Sequence, residues 1–432
     1  MEEQKGKVEF MFDIVCPFAR LAGLKLRTLM REGLLGKEQV EWIPVLLGGI
    51  YALTKAPQTK DGSATDVMPV AKKVVLANDL KRWAAYVGTK IVFPPGHPRK
   101  SLYAMQRLSA VRDAKGRARI AQRLFDLYWG EGKDVADREL VDAVFEEYGE
   151  DAREVEFGKA RLRAWTDRAV LLGAPGVPFF YVPSRDRSFW GQDRLHFVLQ
   201  ALGLQDVRPS VGCRLVRARR PLVKRVTFYF DVASPWAYIA STQIERIVRA
   251  SLTPVSLEYC PILLGGLFRS IGTPNMPLLA MSDNKRKYSS LDMNDWVKDF
   301  NIPFTFPDVF PIRSVLAQRV LILCPAASST LFRAAWSKNS DISTSHQLEA
   351  VLRDAGFTNA ADLVRIAKTD DSVKGILRAN TERAMKNGVC GVPFFETDAE
   401  YLSGGLWGTD RLFVLEDALA QLIPAPILHP SL

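Results

Sequence analysis

The chain has 432 residues, 47% of them hydrophobic and 25% charged, with a net charge of +10. That is the balance of a soluble globular protein with room for two or three domains, and it excludes a disordered or fibrous chain. No apolar run approaches the roughly 18–20 residues that a membrane helix requires.

The charged opening MEEQKGKVEF runs straight into a strand pattern and does not read as a signal peptide. The first strand is expected at Val8–Phe12. It breaks at Asp13, and Cys16-Pro17 then opens a helix. A second strand is expected at Val40–Pro44, followed by a long middle with apolar residues at helical spacing, as in LYAMQRLSAV. GVPFF, beginning at Gly176, starts a third strand and a hairpin, and DRLHFVLQALG closes the series as a helix. Much of the excess positive charge sits in VRPSVGCRLVRARRPLVKR, Val207 to Arg225. This stretch is polar, contains proline and lacks interleaved aromatics, so it reads as a solvated linker and not as a nucleic-acid-binding arm.

After the linker the series restarts. A strand at Val226–Phe230 breaks at Asp231, and Ser234-Pro235 opens a helix. A strand at Val255–Tyr259 follows, then a helical middle containing ADLVRIAKTD, GVPFF from Gly391, and the closing helix DRLFVLEDALAQL. The restart is a repeat. Asp13 and Asp231 lie 218 residues apart, as do Cys16 and Ser234. PVLLGGIY and PILLGGLF are offset by 217, GVPFF and its copy by 215, WGQDRL and WGTDRL by 217. Four motifs in one order at nearly one offset indicate a duplicated domain, since the period is far too long for a solenoid. Each copy reads β-α-β, helical insert, β-β-α, which is an α/β domain with an inserted helical subdomain. The expected domains are 1–206 and 225–432, joined by the linker 207–224.

Five cysteines show no CxxC pair and four histidines do not cluster, so a structural metal is not expected. Scattered, odd-numbered thiols suit a reducing compartment. The terminal HPSL lacks the basic residue that a peroxisomal address wants before its last leucine, which leaves the cytoplasm as the default.

Three features could carry chemistry. Cys16 or Ser234 sits at a helix start, where free N–H groups and the helix dipole favour an anion. Serine is a preferred helix cap, but cysteine is not, so capping explains one copy only. A thiol at such a place is expected to lose its proton more readily. Val177-Pro178 and Val392-Pro393 are candidate cis bonds whose preceding valines could offer free backbone groups at a sheet edge to a peptide-like ligand. Gln192-Asp193 and Thr409-Asp410 open the last helix, where Thr and Asp cap naturally. An Asp there could also hold a ligand bearing both ammonium and carboxylate. Arg194 and Arg411 are expected to pair with a helix end or a carboxylate.

The second copy, FYFDVASPWAYIA … PILLGGLF … GTPNMP … KRKY … IPFTFP … GVPFF … WGTDRL, resembles the kappa-class glutathione transferases and the 2-hydroxychromene-2-carboxylate isomerases, of the DsbA-like branch of the thioredoxin fold. The first copy is similar to the same family through VLANDLKRWAAYVGTKIVFP and SLYAMQRLSAV, with Cys16 where the family has serine. The resemblance implies two tandem thioredoxin-like domains, glutathione as cofactor, and a small-molecule electrophile as substrate, with neither nucleic acid nor membrane as partner. It implies that Ser234 stabilises the glutathione thiolate, that Val392 beside Pro393 pairs with the cysteinyl backbone, and that Thr409 and Asp410 hold the γ-glutamyl end. Thr273 stands where the family has a glutathione-binding asparagine. Cys16, Val177, Pro178, Gln192 and Asp193 are the first-copy counterparts. Trp236, Phe268, Tyr288 and Trp296 are candidate lining of the second copy's apolar pocket, and Cys390 is placed near the site.

The implied chemistry is thiolate addition to an electron-poor alkene, ending as isomerisation or as transfer. The competing reading is a single-cysteine thiol-disulfide oxidoreductase built on Cys16, which would form a mixed disulfide with glutathione. Ala19 stands where a second cysteine would be, so a two-cysteine cycle is excluded. Since kappa-type proteins are homodimers, the tandem chain is expected as an intramolecular pseudo-dimer or a homodimer, and a third reading is a non-catalytic first copy that completes the second.

Overall fold

A computed structural model describes residues 6–58, 64–150, 155–218 and 223–425. The first half builds one four-stranded sheet from β1 (Val8–Phe12), β2 (Val40–Pro44), β3 (Phe179–Val182) and β4 (Arg187–Trp190), ordered β2-β1-β3-β4. Next in the chain are β5 (Leu215–Arg217) and the second half's β6 (Arg225–Phe230), β7 (Ser256–Pro261), β8 (Phe394–Thr397) and β9 (Leu406–Trp407), ordered β7-β6-β8-β9. The last strand is β10 (Leu422–Pro424). In each four-stranded sheet the first two strands run parallel and the hairpin joins antiparallel. The parallel pair requires a crossover, which the helices Pro17–Arg31 and Pro235–Arg249 supply.

Both sheets are held by the same aromatic ladder. Phe10 stacks on Phe12 and Phe180 at 5.3 Å, with Trp42 edge-on at 4.8 Å; Phe228 stacks on Phe230 at 5.1 Å and on Phe395 at 5.3 Å. These rings are fully buried, and offset or edge-on pairs of this kind add about 0.5–1.5 kcal/mol each beyond the area they bury. The helical inserts pin the turns after β1 and β6. Trp129 donates its indole N–H to Ile14 O at 2.7 Å, and Trp336 does the same to Val232 O at 2.7 Å. Asp13 accepts from Val15 N and Leu47 N, and Asp231 from Ala233 N and Leu264 N, tying each turn to the helix after the second strand. Burial raises the pKa of both carboxyls against these hydrogen bonds.

The halves embrace through one helix each. Val70–Val87, from the first insert, reaches the second half: Trp83 packs on Phe413 at 5.4 Å and Arg82 donates to Gly405 O at 3.2 Å. Asp283–Asp299, from the second insert, reaches the first: Trp296 packs on Phe197 at 5.0 Å and Arg187 pairs with Asp295 at 2.6 Å. The same patch is used on both halves, as in a two-fold dimer interface.

The linker departs from expectation. Its alternating apolar residues Val207, Val211, Cys213 and Leu215 pack on the core while the intervening cations face out. β5 pairs antiparallel with β10, which ties the linker to the end of the second half. The expectation of a solvated segment fails because the run was judged by charge, whereas its period-two pattern buries one side.

Arg208 of the linker sits 3.1 Å from Asp417, whose side chain is fully buried. Burial pushes the Asp417 carboxyl up to about 7, with Arg208 opposing and Glu416 reinforcing. An unfolded aspartate titrates near 4. Its contribution to stability is therefore present below about pH 4 and is lost as pH rises toward 7. Asp417→Asn is expected to raise stability at pH 8 by roughly 2 kcal/mol, with little gain at pH 4, because above about pH 7 the buried carboxylate is charged and the half-exposed Arg208 offsets only part of that cost. Thermal melts at the two pH values check this; equal shifts at both would refute it.

Candidate functional site

In each half the start of the helix after β1 or β6 meets the turn before β3 or β8, and this junction is the candidate cleft. Pro17 and Pro235 occupy the first helical turn, where no backbone N–H is needed, and Cys16 and Ser234 are the N-cap residues with extended backbone. Ser234 Oγ accepts from Ala237 N at 3.2 Å and donates to Val392 O at 3.3 Å. Cys16 makes no cap bond, and its thiol donates to Val177 O at 3.3 Å. Val177-Pro178 and Val392-Pro393 are both cis, as the sequence suggested. The valine carbonyls are not free, since Cys16 and Ser234 take them. The strands that follow, β3 and β8, lie inside their sheets and not at an edge.

Burial pushes the Cys16 thiol up to about 12, outweighing the backbone N–H groups of Ala19 and Phe18 that favour the anion. The expected acidic thiol is thus corrected. Desolvation in a site only 7% exposed costs more than the helix terminus returns. Cys390 is likewise pushed up to about 12 by burial.

Gln192-Asp193 and Thr409-Asp410 do not cap the last helix. Gly191 and Gly408 precede them at φ 110° and 106°, conformations that need glycine. Thr409 Oγ1 instead donates to Trp236 O at 2.8 Å. Both side-chain polar atoms of Gln192, 1% exposed, are without partners. Thr273 is buried with an unpartnered hydroxyl, while Asn275 lies against Gly265 at the start of Leu264–Ile271.

The aspartates join a ring that crosses between the halves. Arg194 contacts Asp193 at 2.9 Å and Asp410 at 2.9 Å; Arg411 contacts Asp193 at 2.8 Å and Asp410 at 3.2 Å. Each arginine is also gripped by two oxygens of an aspartate from the other half's embracing helix. Asp292 holds Arg194 at 2.7 and 2.9 Å, and Asp79 holds Arg411 at 2.8 and 2.6 Å. Burial opposes charge here, yet Arg194 and Arg411 hold the Asp193 carboxyl well below the usual range, and the aspartates hold both guanidiniums well above theirs. Arg82 also pairs with Asp79 at 3.5 Å, and the buried Lys25 donates to Gln192 O at 3.2 Å beside Asp193, so cations and carboxylates in the cluster nearly balance; Asp193 and Asp410 are the members that follow Trp190 and Trp407.

Two lysines stand beside those tryptophans, each from the opposite half. Lys72 lies 5.8 Å from the Trp407 ring and 5.9 Å from Phe268; Lys285 lies 5.6 Å from Trp190. Neither forms an ion pair among the described residues. Burial lowers the pKa of both. Sequence reasoning missed Lys72, Lys285, Asp79 and Asp292. The signal was present: each pair is separated by 213 residues. Of the expected pocket aromatics, Phe268 stands in the second half beside Lys72, which also faces Trp407. Tyr288 and Trp296 face the first half instead: Tyr288 accepts from Trp190 N at 2.8 Å, and Trp296 stacks near His196 and Phe197. Their helix is the one exchanged across the interface.

Among the described residues no group of His, Cys, Asp or Glu is placed to hold a metal, and no helix is long and apolar enough to cross a membrane. All five cysteines are free.

The profile of the DSBA-like thioredoxin domain matches residues 7–203 and 225–420. The chain is 30% identical over 222 residues to glutathione S-transferase kappa 2 of Caenorhabditis elegans, covering 48% of this chain and 96% of that protein. It is 30% identical over 208 residues to 2-hydroxychromene-2-carboxylate isomerase of Sphingobium xenophagum, covering 46% of this chain and 99% of that protein. A solved structure of a 2-hydroxychromene-2-carboxylate isomerase matches at 25% identity and a TM-score of 0.37, over 45% of this chain and 94% of that one. The chain belongs to the DSBA-like thioredoxin domain family, in the branch that holds the kappa-class glutathione transferases and the 2-hydroxychromene-2-carboxylate isomerases.

Proposed function

We propose that the chain is an enzyme whose second cleft binds glutathione and acts on an electrophilic small molecule, aromatic or a conjugated enone. The observation that carries this is the Ser234 hydroxyl at the helix N-cap beside Val392, held there by the Ala237 N–H of the first turn. A sulfur placed there is stabilised as thiolate by the hydroxyl and the helix end. Val392 and Pro393 position the cysteinyl unit, while Thr409 and Asp410 take the γ-glutamyl end. The α-ammonium of that end is taken by the Asp410 carboxylate. Lys72, unpaired, receives a carboxylate. Thr273 lies in the adjoining loop.

The thiolate adds to the alkene and its electron pair moves into an enolate. Rotation about the former alkene bond, now single, and return of the electron pair expel the thiolate and leave the isomerised alkene. Protonation of the enolate instead leaves the adduct, a transfer. Cys16, Val177, Pro178, Gln192 and Asp193 form the equivalent first cleft. A redox cycle on Cys16 is disfavoured by its protonated thiol. The division into 1–206, 207–224 and 225–432 makes the chain an intramolecular pseudo-dimer, and the free thiols suit the cytoplasm.

Calorimetric titration with glutathione, followed by product analysis with a conjugated enone, tests the reading; no binding would end it. Lys72→Met is expected to weaken glutathione binding by roughly tenfold, about 1.4 kcal/mol. KM should rise while kcat holds, because the contact is made equally in ground and transition states. An unchanged KM would remove Lys72 from the site.

A further inference from the structure

The two clefts differ at a second position besides Cys16 and Ser234. PVLLGGIY and PILLGGLF place Tyr51 opposite Phe268. Both lie on short helices, Leu47–Leu53 and Leu264–Ile271, that follow the second strand and are anchored identically. Leu47 N donates to Asp13 at 2.9 Å and Leu264 N to Asp231 at 2.9 Å, three residues before Cys16 and Ser234. The preceding residue donates to a threonine of the insert in each half, Leu46 to Thr166 at 3.0 Å and Leu263 to Thr381 at 3.1 Å. Equivalent anchors put equivalent side chains in equivalent places. Phe268 stands in the second half, 5.9 Å from the Lys72 ammonium that also faces Trp407. Tyr51 is its counterpart in the first half by sequence and by helix anchoring, and there the ring carries a hydroxyl.

That hydroxyl has no hydrogen-bond partner among the described residues. Burial raises the phenol's pKa, with Cys16 and Asp13 adding to the rise, so it keeps its proton. Cys16 and Ser234 bond their valine carbonyls alike, at 3.3 Å, but a thiol is a much weaker donor than a hydroxyl when a ligand sulfur competes. The first cleft therefore lacks the cap hydroxyl of the second but has an unused, stronger donor on the neighbouring helix.

We propose that Tyr51 is a catalytic residue of the first cleft: its phenol O–H donates to the sulfur of the thiol ligand seated against Val177, the part that Ser234 plays in the second cleft. The exchange of serine for cysteine at position 16 then does not silence the cleft. It moves the proton donor from the helix cap to the neighbouring helix, and both clefts stabilise a thiolate. This rests on the reading that glutathione occupies the clefts.

The test is the ultraviolet thiolate absorbance of bound glutathione, titrated with pH, with binding stoichiometry followed by calorimetry. The wild-type chain should carry two bound thiolates at neutral pH. Tyr51→Phe should still bind two glutathiones but lose about half of the thiolate signal, with one bound thiol about tenfold less ionised. Ser234→Ala should lose the other half, and Ser234→Ala with Phe268→Tyr should regain it, since that pair rebuilds the first cleft's arrangement in the second. Two glutathiones bound with a Tyr51→Phe titration identical to wild type would overturn the role of Tyr51 while leaving the binding reading intact. A wild-type chain that binds no glutathione would overturn both.

Discussion

Ser234→Ala is expected to lower second-cleft turnover with glutathione by roughly 10²–10³, the usual cost of removing one preorganised donor from a developing or resident anion. The fold should barely notice. The lost contacts are one cap bond to Ala237 and one to Val392 O, and a missing cap costs about 1 kcal/mol. The two effects separate cleanly in their pH dependence. Without the hydroxyl, the bound thiol should ionise nearer the free value of about 8.5, so the mutant's rate should climb about tenfold per pH unit until it levels off there. Steady-state kinetics between pH 6 and pH 9 with a conjugated enone would show it. A turnover and pH profile equal to wild type would remove Ser234 from the chemistry.

Arg411→Met should be among the most destabilising single changes in the protein. Arg411 binds Asp79 through two bonds and also touches Asp193 and Asp410, all at or near the seam between the halves. Its removal takes one cationic partner from each of three carboxylates in a poorly hydrated place and leaves Asp79 only the 3.5 Å contact with Arg82, a loss of about 3–5 kcal/mol. For domains of this size that corresponds to roughly 10 °C in Tm. The loss should shrink as pH falls toward 4, where stranded carboxylates take up protons. Adding Asp79→Asn should restore part of the stability, because the pair is coupled. Thermal melts of the two single mutants and the double mutant decide it. Additive losses would mean that the ring does not act as a unit.

The ring also accounts for what a lone half would lack. Asp193 and Asp410 reach opposite clefts but share both arginines, and Lys72 and Lys285 each complete the cleft of the other half. Two copies in one chain bring these groups together at an effective concentration that separate subunits would have to reach by association.

Much was legible before any coordinates. Strand β1 falls on the expected Val8–Phe12, and β2 on Val40–Pro44, because buried β-branched and aromatic runs ending at Asp or Pro have few other readings. The repeat placed Cys16 against Ser234 and Val177 against Val392, and those pairs do occupy matching turns. These are local relations, carried by the spacing of side chains along one segment. What only the tertiary structure decided are the relations between segments far apart in the chain. Charge marked Asp193, Arg194, Asp410 and Arg411 as caps or pairs, but not as one ring, since nothing in a linear pattern reveals that each half lends a helix to the other. For the same reason Tyr288 and Trp296 were assigned to the wrong cleft, and Lys72 to none. The acidity of Cys16 turned on a balance between a helix terminus, visible in the sequence, and desolvation, which depends on what packs around the turn. Burial won, and burial is a property of the folded whole.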